Sequence, residues 1–171
     1  MFIVLIIVFV AFGLAMARPY LAASAATFKP DQPVHAVLIV DNSLSMSVEQ
    51  LNKPLLDEAK KQAKDFIGRL PPGSRVSVLP LCGSTTEYNL GAYGTREDAF
   101  EALAAIQPVD RAGTAALAID VALDACRRVP SPSAKQVVFI SDQQAANWPS
   151  QSLDSHLKQL RTPMQVVQVA P

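Results

Sequence analysis

Val34-His35-Ala36-Val37-Leu38-Ile39-Val40-Asp41-Asn42-Ser43-Leu44-Ser45 runs from an almost wholly apolar stretch straight into one carboxylate, one amide and two hydroxyls. A strand that is apolar on both faces belongs to a parallel sheet covered by helices on each side, where the usual period-two alternation is lost. The same character returns at Val137 to Ile140 and, with one Gln interrupting, at Val166 to Val169. Asp41, Ser43 and Ser45 occupy alternate positions on the strand exit. Oxygen ligands on a tight loop suit Mg²⁺ or Mn²⁺, which take near-octahedral oxygen shells and keep some water. The pentapeptide has an ordinary explanation too, since Asp, Asn and Ser cap helix N-termini and close turns.

Working outward, Leu55, Ala59, Ala63, Phe66, Ile67 and Leu70 keep a helical spacing, with Lys60, Lys61, Lys64 and Asp65 on the remaining surface and Pro71-Pro72-Gly73 as a stop. Arg75 to Leu81 predicts the next strand, and Thr85 to Leu90 follows closely enough to form a hairpin and so an antiparallel edge strand. Helices are predicted over Thr95 to Ile106, with Thr95 as N-cap and Asp98 three residues on, over Ala115 to Arg128, and over Ser150 to Leu160. Met164 to Ala170 is the last predicted strand. The order β-α-β-β-α-α-β-α-β implies an α/β fold, a doubly wound, Rossmann-like and mostly parallel sheet with one antiparallel edge.

In such sheets ligands gather beyond the carboxyl ends of the strands, where strand order reverses. Asp41 ends the first strand and Ser141-Asp142 ends the strand Val137 to Ile140, so neighbours at that point open both carboxylates into one crevice. Ala112-Gly113-Thr114-Ala115 precedes a helix, and the Thr114 hydroxyl either caps that helix or turns toward the crevice.

At these residues the chain resembles the von Willebrand factor type A domain, whose metal-ion-dependent adhesion site combines D-x-S-x-S after the first strand, a Thr in a later loop and an Asp after the fourth strand. Asp41, Ser43, Ser45, Thr114 and Asp142 fill the five positions. The resemblance implies that the serines and Thr114 bind Mg²⁺ or Mn²⁺ directly or in alternate states, while the two aspartates act largely through coordinated water. A metal so held keeps a position for an Asp or Glu of a protein partner. Asn42, Gln143 and Trp148 beside the ligands are the expected partner-contact residues, Trp being enriched in interface hot spots, although Trp148 equally suits the packing of a helix entry against the sheet. Many such domains carry Gly after the last aspartate, where Gln143 stands here, and the final helix and sixth strand of the family are missing before Pro171, so the sheet is expected to be C-terminally incomplete.

With 171 residues, one domain is expected. Its 15 basic and 15 acidic residues cancel, which excludes the basic excess that draws phosphate backbones and makes nucleic acid an unsuitable partner. Met1 to Ala17 reads MFIVLIIVFVAFGLAMA without a charge, which as a helix would span roughly 25 Å. Extended through Pro19-Tyr20-Leu21 it predicts a transmembrane helix over 1–21, then a proline-punctuated linker over 22–33 and a globular head over 34–171. A cleaved signal peptide is the competing reading, with small-x-small sites at Ala15-Met16-Ala17 and Ala23-Ser24-Ala25 but no basic residue ahead of the apolar core.

Leu14-Ala15-Met16-Ala17-Arg18-Pro19-Tyr20-Leu21, Asp41-Asn42-Ser43-Leu44-Ser45-Met46 and Ser141-Asp142-Gln143-Gln144 are also similar to aerotolerance-type (BatA-type) bacterial membrane proteins. That likeness implies a fragment of a longer protein, tethered in the cytoplasmic membrane with its head outside. The positive-inside rule, applied to Arg18 and Lys29, argues the reverse topology.

Catalysis is not expected. Ser43 lacks a His on any strand-exit loop to act as base. The enzyme alternative is a phosphotransfer or hydrolytic domain using Asp41 and Mg²⁺, against which stands the absence of a strand-end Lys for phosphate. No small-molecule substrate is expected. Cys82 and Cys126 fall at opposite ends of the sheet and read as free, buried thiols; His35 and His156 read as structural or solvated.

Overall fold

The computed structural model describes residues 31–50, 53–83, 89–111, 113–142 and 164–169. Along the chain, β1 (His35–Val40) leads to a single 3-10 turn (Leu44–Ser47), then the short strands β2 (Glu49–Gln50) and β3 (Lys53–Pro54), α1 (Leu55–Arg69), β4 (Arg75–Pro80), α2 (Arg96–Ala105), α3 (Ala115–Arg128), β5 (Lys135–Ser141) and β6 (Met164–Gln168). β4, β1, β5 and β6 form one sheet in that order, every pair parallel. β2 and β3 pair apart from it as a two-residue antiparallel hairpin.

All six residues of β1 are buried, because helices cover both faces of the sheet. Ala36, Leu38, Val40, Val138 and Ile140 pack on one face against α1 and α2, through Leu55, Ala59, Ala63, Ile67, Ala99 and Leu103. Val37, Ile39, Val137 and Phe139 face the other way, against Ala115, Ile119, Ala122 and Cys126 of α3. Period-two alternation thus persists in space, but both faces are apolar and no polar residue marks it in the sequence.

From β1 the chain crosses through α1 to β4 on one side, then through α2 and α3 to β5 on the other. Strand order therefore reverses between β1 and β5, and a crevice opens at their carboxyl ends. Their ladder runs in register from His35 opposite Lys135 to Val40 opposite Ile140. It extends one residue further through Asp41 N–H to Ile140 C=O at 2.9 Å, while Leu81 N–H reaches Val40 C=O at 2.8 Å on the other side. Asp41, Leu81 and Ser141 therefore stand at one level at the carboxyl ends of the strands.

The α1, α2 and α3 boundaries follow the sequence expectations to within a residue. Thr95 caps α2 by accepting the Asp98 N–H at 3.1 Å. Gly73, at φ 80, makes the left-handed step that closes the turn before β4.

The expected antiparallel edge strand, Thr85 to Leu90, falls mostly on residues outside those described, and Leu90 itself is not in a strand. The antiparallel pairing present is a single bridge from Tyr93 to Val76, with Tyr93 N–H on Val76 C=O at 2.7 Å. The predicted helix over Ser150 to Leu160 and the apolar N-terminal segment also lie outside the described residues. Among the described residues no helix is long and apolar enough to cross a membrane.

Candidate functional site

The Asp41 side chain is completely buried at the head of the crevice. Its Oδ1 accepts Ser43 N–H at 2.9 Å and Ser43 Oγ–H at 2.7 Å, and its Oδ2 accepts Ser141 Oγ–H at 2.6 Å. Ser43 Oγ lies 3.0 Å from Ser45 Oγ. Ser43 precedes the 3-10 turn but makes no side-chain cap; Asp41 closes the turn through the Ser43 N–H two residues on, and the Ser43 hydroxyl donates to the same carboxylate.

Asn42 turns the other way. Its Nδ2 donates to Cys82 C=O at 3.1 Å and Gln107 C=O at 3.0 Å, and its Oδ1 accepts Cys82 N–H at 2.8 Å. One amide thus ties the β1 exit to the β4 exit and to the segment leaving α2. Val109 continues that tie, giving its N–H to Asn42 C=O at 2.9 Å and bridging in parallel with Ser43. The expectation that Asn42 contacts a partner is corrected by this geometry: it is 3% exposed and every polar atom of its amide is spent on backbone. Asn42 positions the loops.

Thr114 comes to the same rim through Gly113. A Cβ added to Gly113 would stand 2.8 Å from both Leu81 C=O and Cys82 Sγ, so only glycine lets this loop lie against the β4 exit. Thr114 is exposed and caps α3, its Oγ1 accepting Leu117 N–H across 3.4 Å. Asp142 follows Ser141 directly and is partly buried. Gln143 and Trp148 lie outside the described residues. Ser141 is the participant the sequence reading passed over. Its signal was available, as the residue opposite Asp41 once β1 and β5 are aligned, but that alignment is a tertiary fact.

The donor set fits a small hard cation. Adjacent oxygens of an octahedral shell with bonds of about 2.0–2.1 Å stand about 2.9 Å apart, and the two serine hydroxyls already keep 3.0 Å. Asp41 is wholly buried, yet neither ion pair among the described residues involves it; those join Lys61 to Glu58 and Arg127 to Asp124. A buried carboxylate without a cation is costly unless hydrogen bonds or a metal balance it. Among the described residues no group of three His, Cys, Asp or Glu side chains gathers; the donors brought together are serine hydroxyls and the Asp41 carboxylate, oxygens that suit Mg²⁺ or Mn²⁺ over zinc.

Burial pushes the Cys82 thiol up to about 11, with the Asp41 charge adding to the rise and a backbone hydrogen bond with Gly113 opposing it. It is a protonated, inert side chain next to the site. Cys126 is also free and buried. His35 is buried at the far end of β1, its Nε2 sharing a 2.9 Å hydrogen bond with Ser77 Oγ, and no histidine of the described residues reaches the Asp41 carboxylate.

Comparison with solved structures agrees with this architecture. A von Willebrand factor type A protein from Catenulispora acidiphila superposes with a TM-score of 0.61 at 17% identity, over 80% of this chain and 32% of its own. BatB from Bacteroides thetaiotaomicron gives 0.56 at 19% identity, over 79% of this chain and 65% of its own. An aerotolerance-related membrane protein from Bacteroides fragilis gives 0.58 at 17% identity, over 79% and 67%. At these identities the likeness speaks for the fold, and the chain spans a third to two-thirds of the matched proteins. No curated protein sequence matches it. The family model for the von Willebrand factor type A domain covers residues 36–144, well over half of the chain and every strand and loop of the site, and the chain therefore belongs to the von Willebrand factor type A domain family.

Proposed function

We propose that the domain is a metal-dependent docking module, in which Ser43, Ser45 and Thr114, with Asp41 and Asp142 behind them, hold Mg²⁺ or Mn²⁺ and a protein partner supplies an Asp or Glu. Domains of this family in general mediate protein–protein interaction and are not enzymes. The bound ion supplies a Lewis-acidic position for an incoming carboxylate.

The chain's own part is preorganisation. Ser141 and the Ser43 N–H fix both oxygens of Asp41, so the carboxylate faces its hydroxyl neighbours with little freedom to lose on binding. Thr114 gives up only a long cap contact of 3.4 Å when its hydroxyl turns inward. The supporting observation is the 3.0 Å spacing of Ser43 Oγ and Ser45 Oγ above a buried carboxylate that has no basic partner among the described residues. The same burial argues against Asp41 as a phosphoryl acceptor, because in-line attack needs an accessible carboxylate oxygen.

We also infer that the domain is tethered to a bacterial cytoplasmic membrane through residues 1–21. The uncharged run from Met1 to Ala17 and the fold shared with an aerotolerance-related membrane protein support this. Calorimetric titration of the full chain with Mg²⁺ and Mn²⁺, compared with Asp41→Ala, tests the site: saturable binding that the substitution abolishes is expected. Unchanged binding in Asp41→Ala, or phosphatase turnover that Asp41→Asn removes, would overturn the reading.

A further inference from the structure

Among the described residues the large hydrophobic side chains left exposed are Leu44, Val48 and Leu117, at 59%, 57% and 59%. Single exposed aliphatics are commonplace, but Leu44 and Leu117 each adjoin a residue of the candidate site. Leu44 stands between Ser43 and Ser45, where the 3-10 turn sends alternate residues inward to the carboxylate and outward to solvent. Val48 closes that turn. Leu117 lies in the first turn of α3, its N–H on the Thr114 hydroxyl. Arg111 is exposed on the loop between Val109, which bridges to Ser43, and Gly113, which rests on the β4 exit. No ion pair engages Arg111 among the described residues.

We propose that Leu44 and Leu117 form an apolar collar around the docking position and select a protein segment in which the acidic side chain is flanked by large aliphatic side chains. The proposal rests on the metal-dependent docking reading and names the partner chemistry for it. A carboxylate meeting an ion in open water gains little, because each is already well hydrated; aliphatic contacts around the pair exclude that water and strengthen the attraction. The exposed Arg111 adds positive charge on the same rim, so the surface complements an acidic centre with apolar shoulders rather than a uniformly acidic stretch.

The test uses the full Mn²⁺-loaded chain, kept in solution with detergent, and two peptides of equal charge, acetyl-Leu-Glu-Leu-amide and acetyl-Ser-Glu-Ser-amide. The leucine peptide is expected to bind about tenfold more tightly. Leu44→Ser with Leu117→Ser should erase that difference while leaving Mn²⁺ affinity and the serine peptide unchanged. Equal binding of both peptides overturns the collar and leaves metal–carboxylate docking standing, whereas binding of neither peptide, or of no Mn²⁺, overturns both. A Mn²⁺-dependent dimer in sedimentation that Leu44→Ser dissolves would assign the collar to a second copy of the chain and likewise overturn the proposal.

Discussion

Replacing Asn42 with Ala should cost the domain a large share of its stability although the residue neighbours the candidate metal ligands. Its amide makes three hydrogen bonds to backbone groups of two other segments, at 3.1, 3.0 and 2.8 Å. Truncation removes all three and leaves the buried Cys82 N–H without its acceptor. At about 1 kcal/mol net for each bond and a further 1–2 kcal/mol for a buried orphan donor, the loss comes to about 4–5 kcal/mol. Typical domains have only about 5–15 kcal/mol in hand. Asn42→Asp should do no better, since it keeps the acceptor for Cys82 N–H but turns a negative charge on the Cys82 and Gln107 carbonyl oxygens. Leu44→Ser, two positions on and 59% exposed, should change stability by no more than about 0.5 kcal/mol. Urea unfolding of the full chain, followed by far-ultraviolet circular dichroism, separates the cases. An Asn42→Ala chain within about 1 kcal/mol of the parent would refute the positioning role and return Asn42 to the partner-facing surface.

Mg²⁺ at about a hundred times its Kd should raise the unfolding free energy by about 2.7 kcal/mol, and thermal melts with and without metal should show that gain disappearing in Asp41→Ala and Ser43→Ala. Ser141→Ala should weaken Mn²⁺ by about tenfold, the usual effect of removing a group that orients a ligand; calorimetry that finds no change would dismiss the 2.6 Å contact to Asp41 as incidental. Gly113→Ala should destabilise by about 1–3 kcal/mol, and a second change of Cys82→Ala should not restore the loss, because the Leu81 carbonyl oxygen still stands 2.8 Å from the new Cβ. His35 is held down to about 4 from its ordinary 6.5, first by burial and then by the positive charges of Lys135 and Arg75. Between those values the unfolded chain takes up a proton that the folded chain refuses. The His35 contribution is therefore whole above pH 6.5 and is lost as the pH falls toward 4, about 3 kcal/mol in all. His35→Gln should flatten that acid limb in pH-dependent urea unfolding, and an unaltered limb would place the titration elsewhere.

Much of the architecture was legible in residue order. Apolar runs at Val34 to Val40 and Val137 to Ile140 declare strands covered on both faces, and the helical spacing from Leu55 onward matches α1 closely. Such signals survive because burial imposes a period on side chains whatever lies across from them. The 3-10 turn at Leu44–Ser47 and the small β2–β3 hairpin were not foreseen, being too short to repeat any period.

The chain's local chemistry named Asp41, Ser43 and Ser45 as a set, since their alternation on one strand exit needs no knowledge of other segments. Which way each neighbour faces was beyond it. Asn42 and Ser43 are adjacent and both polar, yet one holds three loops together and the other donates to the Asp41 carboxylate. That division follows from β4 and β5 flanking β1 in register, which brings the Cys82 backbone to one side of the exit and the Ser141 hydroxyl to the other. Hydrogen bonds between residues 40 and 100 positions apart depend on which strands lie side by side, and a linear pattern carries no record of that pairing.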